Sequence, residues 1–422
     1  MSVKSFIKKF VPVTYGKLES SQKKQEKELK KELNEIKDMI HQLQTEQSKT
    51  ERMIMNNERN IVNAAKSEVR VTRELMRGDF ARSCKELREF TLQELERRDL
   101  WEVLGAEVRR AAGEKKIWVI KCPAPEDESK IRWGDYPFAL ALEKYLERLG
   151  VYVMVDTYQD WGCESFADVV LVLRGCHFYH PDRRNENCTY MMWNISHPEM
   201  VTDEEYRLYD IVCVGSRYYA EQLKERLDMP VYPLLQCTDT EVFYPDDTAE
   251  KKWEYIFVGN SRGIARECVM WAIEKKLPLR MWGSGWNSIL RDHMDLFEAP
   301  TIENSEIPAL YRSAKATLND HWKDMLDHQF INNRIFDCLA CGLPVITDTC
   351  DELREIFPDA VLHYETKEEF MDCVARLNND YDAIKEKVDA QWDLIQREYS
   401  FACRAKQLVE MVDAYDNHDM IS

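Results

Sequence analysis

From residue 116 to residue 348, short runs of β-branched and aromatic residues alternate with segments of helical periodicity. This alternation limits the possible folds more than any other feature of the chain. Residues 116–122 (KIWVIKC), 151–155, 168–173 (DVVLVL), 191–195, 210–214 and 230–235 read as strands. Helices are expected at 137–149, closed by Gly150, and at 218–227. A run such as DVVLVL has no polar face, so both sides of its sheet must be covered. Strands separated by helices then give an open α/β unit with a parallel sheet. A short charged linker, 246–250 (DDTAE), precedes a second series. Strands are expected there at 255–258, 279–282, 316–318 and 345–347, and helices at 264–276, 307–313, 352–357, 367–377 and 380–416. Two Rossmann-like domains facing across a cleft, at the carboxyl ends of their strands, are the architecture implied.

Upstream the pattern is different. Residues 18–80 are rich in Lys, Glu and Gln. Leu29, Leu33, Ile36, Ile40 and Leu43 step by four and three, the rhythm of a coiled coil. Such a stripe must be buried, either by self-association into a homo-oligomer or against the body of the protein. Residues 81–113 continue as an apolar adaptor helix closed by Gly113. Residues 1–16 mix Phe6, Ile7 and Phe10 with Lys4, Lys8 and Lys9, which suits a basic amphipathic helix on an anionic membrane or a frayed terminus. The expected organisation is therefore a basic terminus (1–16), a coiled coil (17–80), an adaptor (81–113), a first domain (114–248), a second domain (249–405) and a terminal helix and tail (406–422).

Charge separates along the same lines. Residues 1–113 carry 24 basic and 19 acidic residues, and the remainder carries 34 and 57. So acidic a body excludes general nucleic-acid binding, because little would neutralise a phosphate backbone. Thirteen scattered cysteines form no disulfide framework and point to reduced thiols in the cytoplasm. Cys338 and Cys341 lie one turn apart on a helix, which suits core thiols better than a metal site, and no metal is expected. No apolar run is long enough to span a bilayer, so any membrane contact would be peripheral, at its inner face.

The cleft chemistry centres on 319–348 (NDHWKDMLDHQFINNRIFDCLACGLPVITD). Its helix carries Arg334 in the first turn, where a cation is misplaced unless an anion meets it. A second anion element is the loop Gly259-Asn260-Ser261-Arg262-Gly263, with Arg266 one turn on. Neither a Walker loop nor GxGxxG is present. Together with Asn333-Arg334, the loop points to a diphosphate ligand. Asp337, one turn after Arg334, suits ribose hydroxyls or pairs only with its own helix arginine. Trp282-Gly283-Ser284-Gly285-Trp286 forms either a base pocket or an aromatic core turn. The loop before the helix, 321–328, forms the lip of the pocket, with His321 and Asp327 nearest a bound sugar. On the opposite wall, Asp135, His197 and Glu199 follow strands and gather on one rim as candidate catalytic groups.

Several stretches carry a family resemblance: WGDYPFALAL (133–142), WNISHPE (193–199), PLLQCTDTEVFYP (233–245), FVGNSRG (257–263), LPLRMWGSGW (277–286) and above all 318–348. Over residues 115–415 the chain resembles GT-B glycosyltransferases of the retaining family 1 or family 4 type. It is most similar to their CgeB-like branch, associated with spore maturation and polysaccharide assembly. The resemblance implies a nucleotide-diphosphate sugar donor held by the second domain, with no further cofactor and no obligatory metal. It also implies a saccharide or lipid-linked acceptor held by the first domain, and retention of anomeric configuration. Arg262 and Arg334 look like its diphosphate clamp. Relatives carry a glutamate pair spaced E-x7-E on this helix. Asp337 falls on the second glutamate and Gln329 on the first. If the reaction instead inverts, Asp135 or Glu199 would be the base. The rival reading is a non-catalytic coiled-coil scaffold carrying a GT-B-like binding module, in which an anion clamp beside a ribose acid would have no purpose.

Overall fold

The computed structural model describes residues 97–417, apart from 159–160, 162–165 and 182–185. The expected basic terminus, coiled coil and most of the adaptor helix lie outside the described residues. The adaptor's last part is the helix Arg97–Ala112, which ends at Gly113 with φ +63°. Its Arg109 makes a bidentate bond to Asp168 at 2.9 Å, tying it to the first sheet.

The first sheet contains β1 (Ile117–Cys122), β2 (Tyr152–Thr157), β3 (Val169–Arg174), β4 (Thr189–Asn194), β5 (Ile211–Val214) and β6 (Val231–Pro233). All are parallel, in the order 2-1-3-4-5-6. Every residue of β1, β3, β4 and β5 is buried. That burial is the physical reason these strands read as unbroken apolar runs.

The second sheet contains β7 (Trp253–Val258), β8 (Leu279–Trp282), β9 (Phe297–Ala299), β10 (Ala314–Asn319), β11 (Val345–Asp348) and β12 (Val361–Tyr364), in the order 12-11-10-7-8-9. It too is parallel. The sequence reading omitted β9 and β12. β9 is a three-residue edge strand carrying Glu298, and β12 is an edge strand carrying the half-buried His363. Neither shows a clear period of its own.

The stretch 380–416, expected to be one helix, is three: Tyr381–Asp389, Trp392–Glu398 and Phe401–Asp416. The last returns to the first sheet. Phe401, Ala405, Leu408 and Val412 join its core, and the Phe401 ring meets Phe138 edge-on at 4.6 Å. Lys116 reaches Asp413 and Asp416 at 2.9 and 2.8 Å. The C-terminal helix thus ties the end of the chain to the first unit. Among the described residues no helix is long and apolar enough to cross a membrane.

Candidate active site

The cleft sits where the carboxyl ends of both sheets meet, and it holds two adjoining cavities. The larger, about 570 Å³, is lined by Gly134 and Phe138 of the first unit and by Gly259, Asn260, Trp282, Gly283, Asn333, Arg334 and Asp337 of the second. The smaller, about 200 Å³, is lined by Asp135, Ser196, His197, Arg262, the His321 main chain, Trp322, Asn333 and Arg334 among others. Asn333 and Arg334 line both cavities, so they stand at their junction.

The second unit builds its wall from crossing loops. Gly283, at φ +136°, lets the turn after β8 press on the turn after β7. A Cβ there would lie 2.1 Å from the Gly259 carbonyl oxygen, which no side chain could tolerate. Asn260 Oδ1 accepts the Ser284 N–H at 2.8 Å, and the Trp286 indole donates to the Gly259 carbonyl at 2.8 Å. Trp286 is wholly buried. Of the two tryptophans, Trp282 faces the larger cavity and Trp286 is core. Gly285 lines neither cavity; its carbonyl accepts from Ser261 Oγ at 2.8 Å.

The loop was expected to offer backbone amides to an anion, but several of its N–H groups are already bonded. Gly259 N donates to the Trp282 carbonyl, Ser261 N to the Ser284 carbonyl and Gly263 N to Ser261 Oγ. Positive charge comes instead from three guanidiniums. A Cβ on Gly259 would lie 3.0 Å from Arg266 Nη1 and 3.3 Å from Arg334 Nη2. Arg334 donates to Asn319 Oδ1 at 2.7 Å. Arg262, at φ +61°, donates to the His321 carbonyl at 2.7 Å and lies over the Trp322 ring at 4.3 Å. Burial, and then Arg334, push the Arg262 guanidinium down to about 10. Arg266 is buried and lines neither cavity; it braces the loop through Asp320 at 2.9 Å and the Asn260 carbonyl at 2.9 Å. Burial, with Arg262 and Arg334 nearby, lowers it as well. Asp320 offsets part of this charge, pairing with Arg266 and lying 3.6 Å from Arg262, and an anion in the cleft would offset the rest.

The helix Asn333–Ala340 brings the remaining groups. Its first N–H is taken by Gln236 Oε1 at 2.7 Å. Asn333 Nδ2 donates to Asp337 at 3.2 Å. Asp337 lines the larger cavity but is nearly buried, and burial pushes its carboxyl up to about 7.

On the first unit, Asp135 begins the helix Asp135–Arg148, and burial raises its carboxyl to about 6. His197 sits in the left-handed region at φ +53°, an uncommon conformation for a non-glycine residue. Its Nδ1 lies 3.2 Å from Asp324 across the cleft.

Besides Arg266 and Gly285, which line neither cavity, the structure corrects the placing of Glu199, Asp327 and the His321 ring. Glu199 is exposed and faces His328 at 3.5 Å, outside both cavities. Asp327 is exposed and pairs with Lys323 on the outer face of the short helix Lys323–Asp327. Asp324, three residues earlier, is the carboxylate that faces inward. The His321 ring is fully buried against Asp348, with Nδ1 at 2.6 Å, so only its main chain reaches the smaller cavity. Gln329 does not face the cleft; its Oε1 accepts the Glu352 N–H at 3.0 Å. The sequence reading also missed the segment 300–305, which walls the larger cavity. The only signal was its position after β9, itself unrecognised.

With this geometry in place, comparison with known proteins is specific. A family model described as glycosyl transferase-like matches residues 266–410. The sucrose-phosphate synthase structure from Thermosynechococcus elongatus superposes with a TM-score of 0.55 at 12% identity, covering 72% of this chain and 100% of that one. The fold is GT-B. HepE from Anabaena, solved in complex with UDP and glucose, gives a TM-score of 0.50 at 10% identity, covering 71% of this chain and 100% of that one. No curated protein matches the chain in sequence. The GT-B architecture accounts for the two parallel six-stranded sheets and the cleft between them.

Proposed function

We propose that this protein transfers a sugar from a uridine-diphosphate sugar to a saccharide or lipid-linked acceptor, without a metal, in the assembly of a surface polysaccharide or glycoconjugate. One observation carries the reading: Arg334 stands at the junction of the two cavities, with Arg262 on the smaller one and Asp337, one helical turn from Arg334, on the larger. A diphosphate at that junction neutralises the clamp. The larger cavity then takes the nucleoside, with Asp337 toward the ribose, and the smaller takes the transferred sugar. UDP is the nucleotide because HepE was solved with it. As the glycosidic bond breaks, charge grows on the leaving diphosphate, and preorganised guanidiniums stabilise it. The similarity of 318–348 to retaining relatives supports retention. Asp135, with its raised carboxyl on the facing wall, supports a second, inverting reading in which it takes the acceptor proton.

Thermal shift against UDP, GDP, dTDP and CMP tests the donor assignment. UDP is expected to raise the melting temperature most, because a ligand binding only the native state adds stability, and Arg334→Ala is expected to abolish the rise. No response to any nucleotide contradicts the reading. The anomeric configuration of the product, read by NMR, separates retention from inversion.

A further inference from the structure

Resting on the transferase reading above, we propose that Asp324 is a positioning residue: from across the cleft it fixes His197 with the hydrogen on Nδ1, so that Nε2 stands as a hydrogen-bond acceptor toward the sugar in the smaller cavity. Each unit supplies one member of the pair. His197 follows β4 of the first unit, and Asp324 lies on the short helix Lys323–Asp327 of the second.

Both members are held from behind. The chain after β4 is pinned, because Asn194 Nδ2 donates to the Arg174 and Ser196 carbonyls at 3.1 and 2.8 Å and Gln236 Nε2 donates to the Ile195 carbonyl. His197 then turns into the left-handed region at φ +53°, a conformation that persists only where the surroundings impose it. On the other side, Met325 and Phe330 are buried in the core beneath the first sheet rather than the second. Phe330 lies beside Tyr219 and against Gly215, where a Cβ would come within 3.0 Å of its ring. The helix carrying Asp324 thus belongs to the second unit by sequence and to the first by packing. That packing, more than attraction between the two side chains, sets Asp324 opposite His197.

The pairing decides what the ring can offer. His197 Nδ1 lies 3.2 Å from Asp324 Oδ2. An ionised carboxylate only accepts, so the hydrogen is on Nδ1 and the lone pair of the neutral ring is on Nε2. Among the described residues Nε2 has no partner, and it is not sealed from the cleft. The Trp322 ring meets His197 edge-on at 5.1 Å and carries Arg262 on its face at 4.3 Å, so the imidazole is confined on that side as well. Arg262 and Arg334, on the same cavity, can only donate. A sugar hydroxyl both donates and accepts, and Nε2 supplies the acceptor that the guanidiniums lack. Without Asp324 the neutral ring returns to the Nε2–H form that predominates in free histidine, and the cavity gains another donor instead.

Two-bond proton–nitrogen NMR on the full chain, labelled with ¹⁵N-histidine and read at about pH 8, above the ordinary imidazole range, tests the pairing. The His197 signals are assigned by their loss in His197→Gln. The wild-type ring is expected to carry its hydrogen on Nδ1. Asp324→Asn, whose side-chain oxygen still accepts, is expected to keep it there, and Asp324→Ala to move it to Nε2. Hydrogen on Nε2 in the wild type, or the same tautomer in Asp324→Ala, overturns the proposal. Calorimetry with UDP, UDP-glucose, UDP-galactose and UDP-N-acetylglucosamine reads the consequence. The tightest of the three sugars is expected to weaken by about fivefold or more in Asp324→Ala and to recover in Asp324→Asn, while UDP binds as in the wild type. An equal loss for UDP, or no loss for any sugar, overturns the role toward the sugar. The tautomer is read without nucleotide, which keeps a failure of the transferase reading, seen as no binding of UDP, distinct from a failure of the pairing.

Discussion

The side-chain oxygen of Gln329 accepts the backbone N–H of Glu352 at 3.0 Å, while Glu352 is fully buried and accepts from Arg217 N and Nε. Gln329 therefore braces the start of the helix Asp351–Ile356, which is held in turn by the first unit. Restoring the acid found in relatives, by Gln329→Glu, puts a second carboxylate beside a buried one. We expect a melting temperature several degrees lower and no gain in transfer, corresponding to roughly 1–3 kcal/mol. Differential scanning fluorimetry with an activity assay checks both.

Arg334 and Arg262 differ in their expected cost. Arg334 borders both cavities, so Arg334→Ala is expected to lower kcat by roughly 10²–10³-fold with the fold intact. Arg262→Ala also frees the His321 carbonyl and uncovers Trp322, so it should reduce stability as well as turnover. Steady-state kinetics and thermal melts on both variants separate these effects.

Asp337 gives a pH dependence with a definite sign. Its folded value, about 7, lies above the ordinary carboxylate value, so the folded protein holds a proton that the unfolded chain releases. Its contribution to stability is full below about 4 and is lost as pH rises through about 7. Asp337→Asn removes that loss. The variant is expected to be more stable than wild type at pH 8, by an amount on the order of 1 kcal/mol or more, and about equal at pH 4. It should also bind UDP more weakly. Denaturant titrations at both pH values and calorimetry with UDP test the pair of effects.

Gly283→Ala forces a methyl group against the Gly259 carbonyl at φ +136°. The two loops must then part, which opens the wall holding Asn260 and Trp286. A loss of roughly 2–4 kcal/mol of stability is expected, together with loss of the UDP-induced thermal shift. Chemical denaturation measures the first and a thermal melt with UDP the second.

Asp135 is raised to about 6 by burial. If it takes a proton from the acceptor, kcat/KM rises with pH through about 6 and then levels. Asp135→Asn should abolish that limb and reduce the rate by roughly 10²–10⁴-fold. A pH–rate profile that is unchanged in the variant removes Asp135 from the reaction.

Much of this was legible in the residue order. Ten of the twelve strands were placed to within a few residues, helped by the burial of every residue in β1, β3, β4 and β5, which makes those strands read as largely apolar runs. Arg334 was legible because a cation at a helix N-terminus needs an electrostatic reason. β9 and β12 were not, since each is only three or four residues long and carries a polar residue, Glu298 or His363, and missing β9 hid the cavity wall at 300–305.

The sequence by itself determined the α/β class, the two-unit architecture and the arginines that gather at the cleft, because periodicity and charge are local properties of the chain. Only the tertiary structure decided which side chains face it. Asp324 turns inward and Asp327 outward on one short helix, and the His321 ring turns away toward Asp348. It also showed that Gln329 serves Glu352 and that the last helix returns to the first sheet. Those outcomes depend on which partner is present across the fold, and residues far apart in sequence supply that partner.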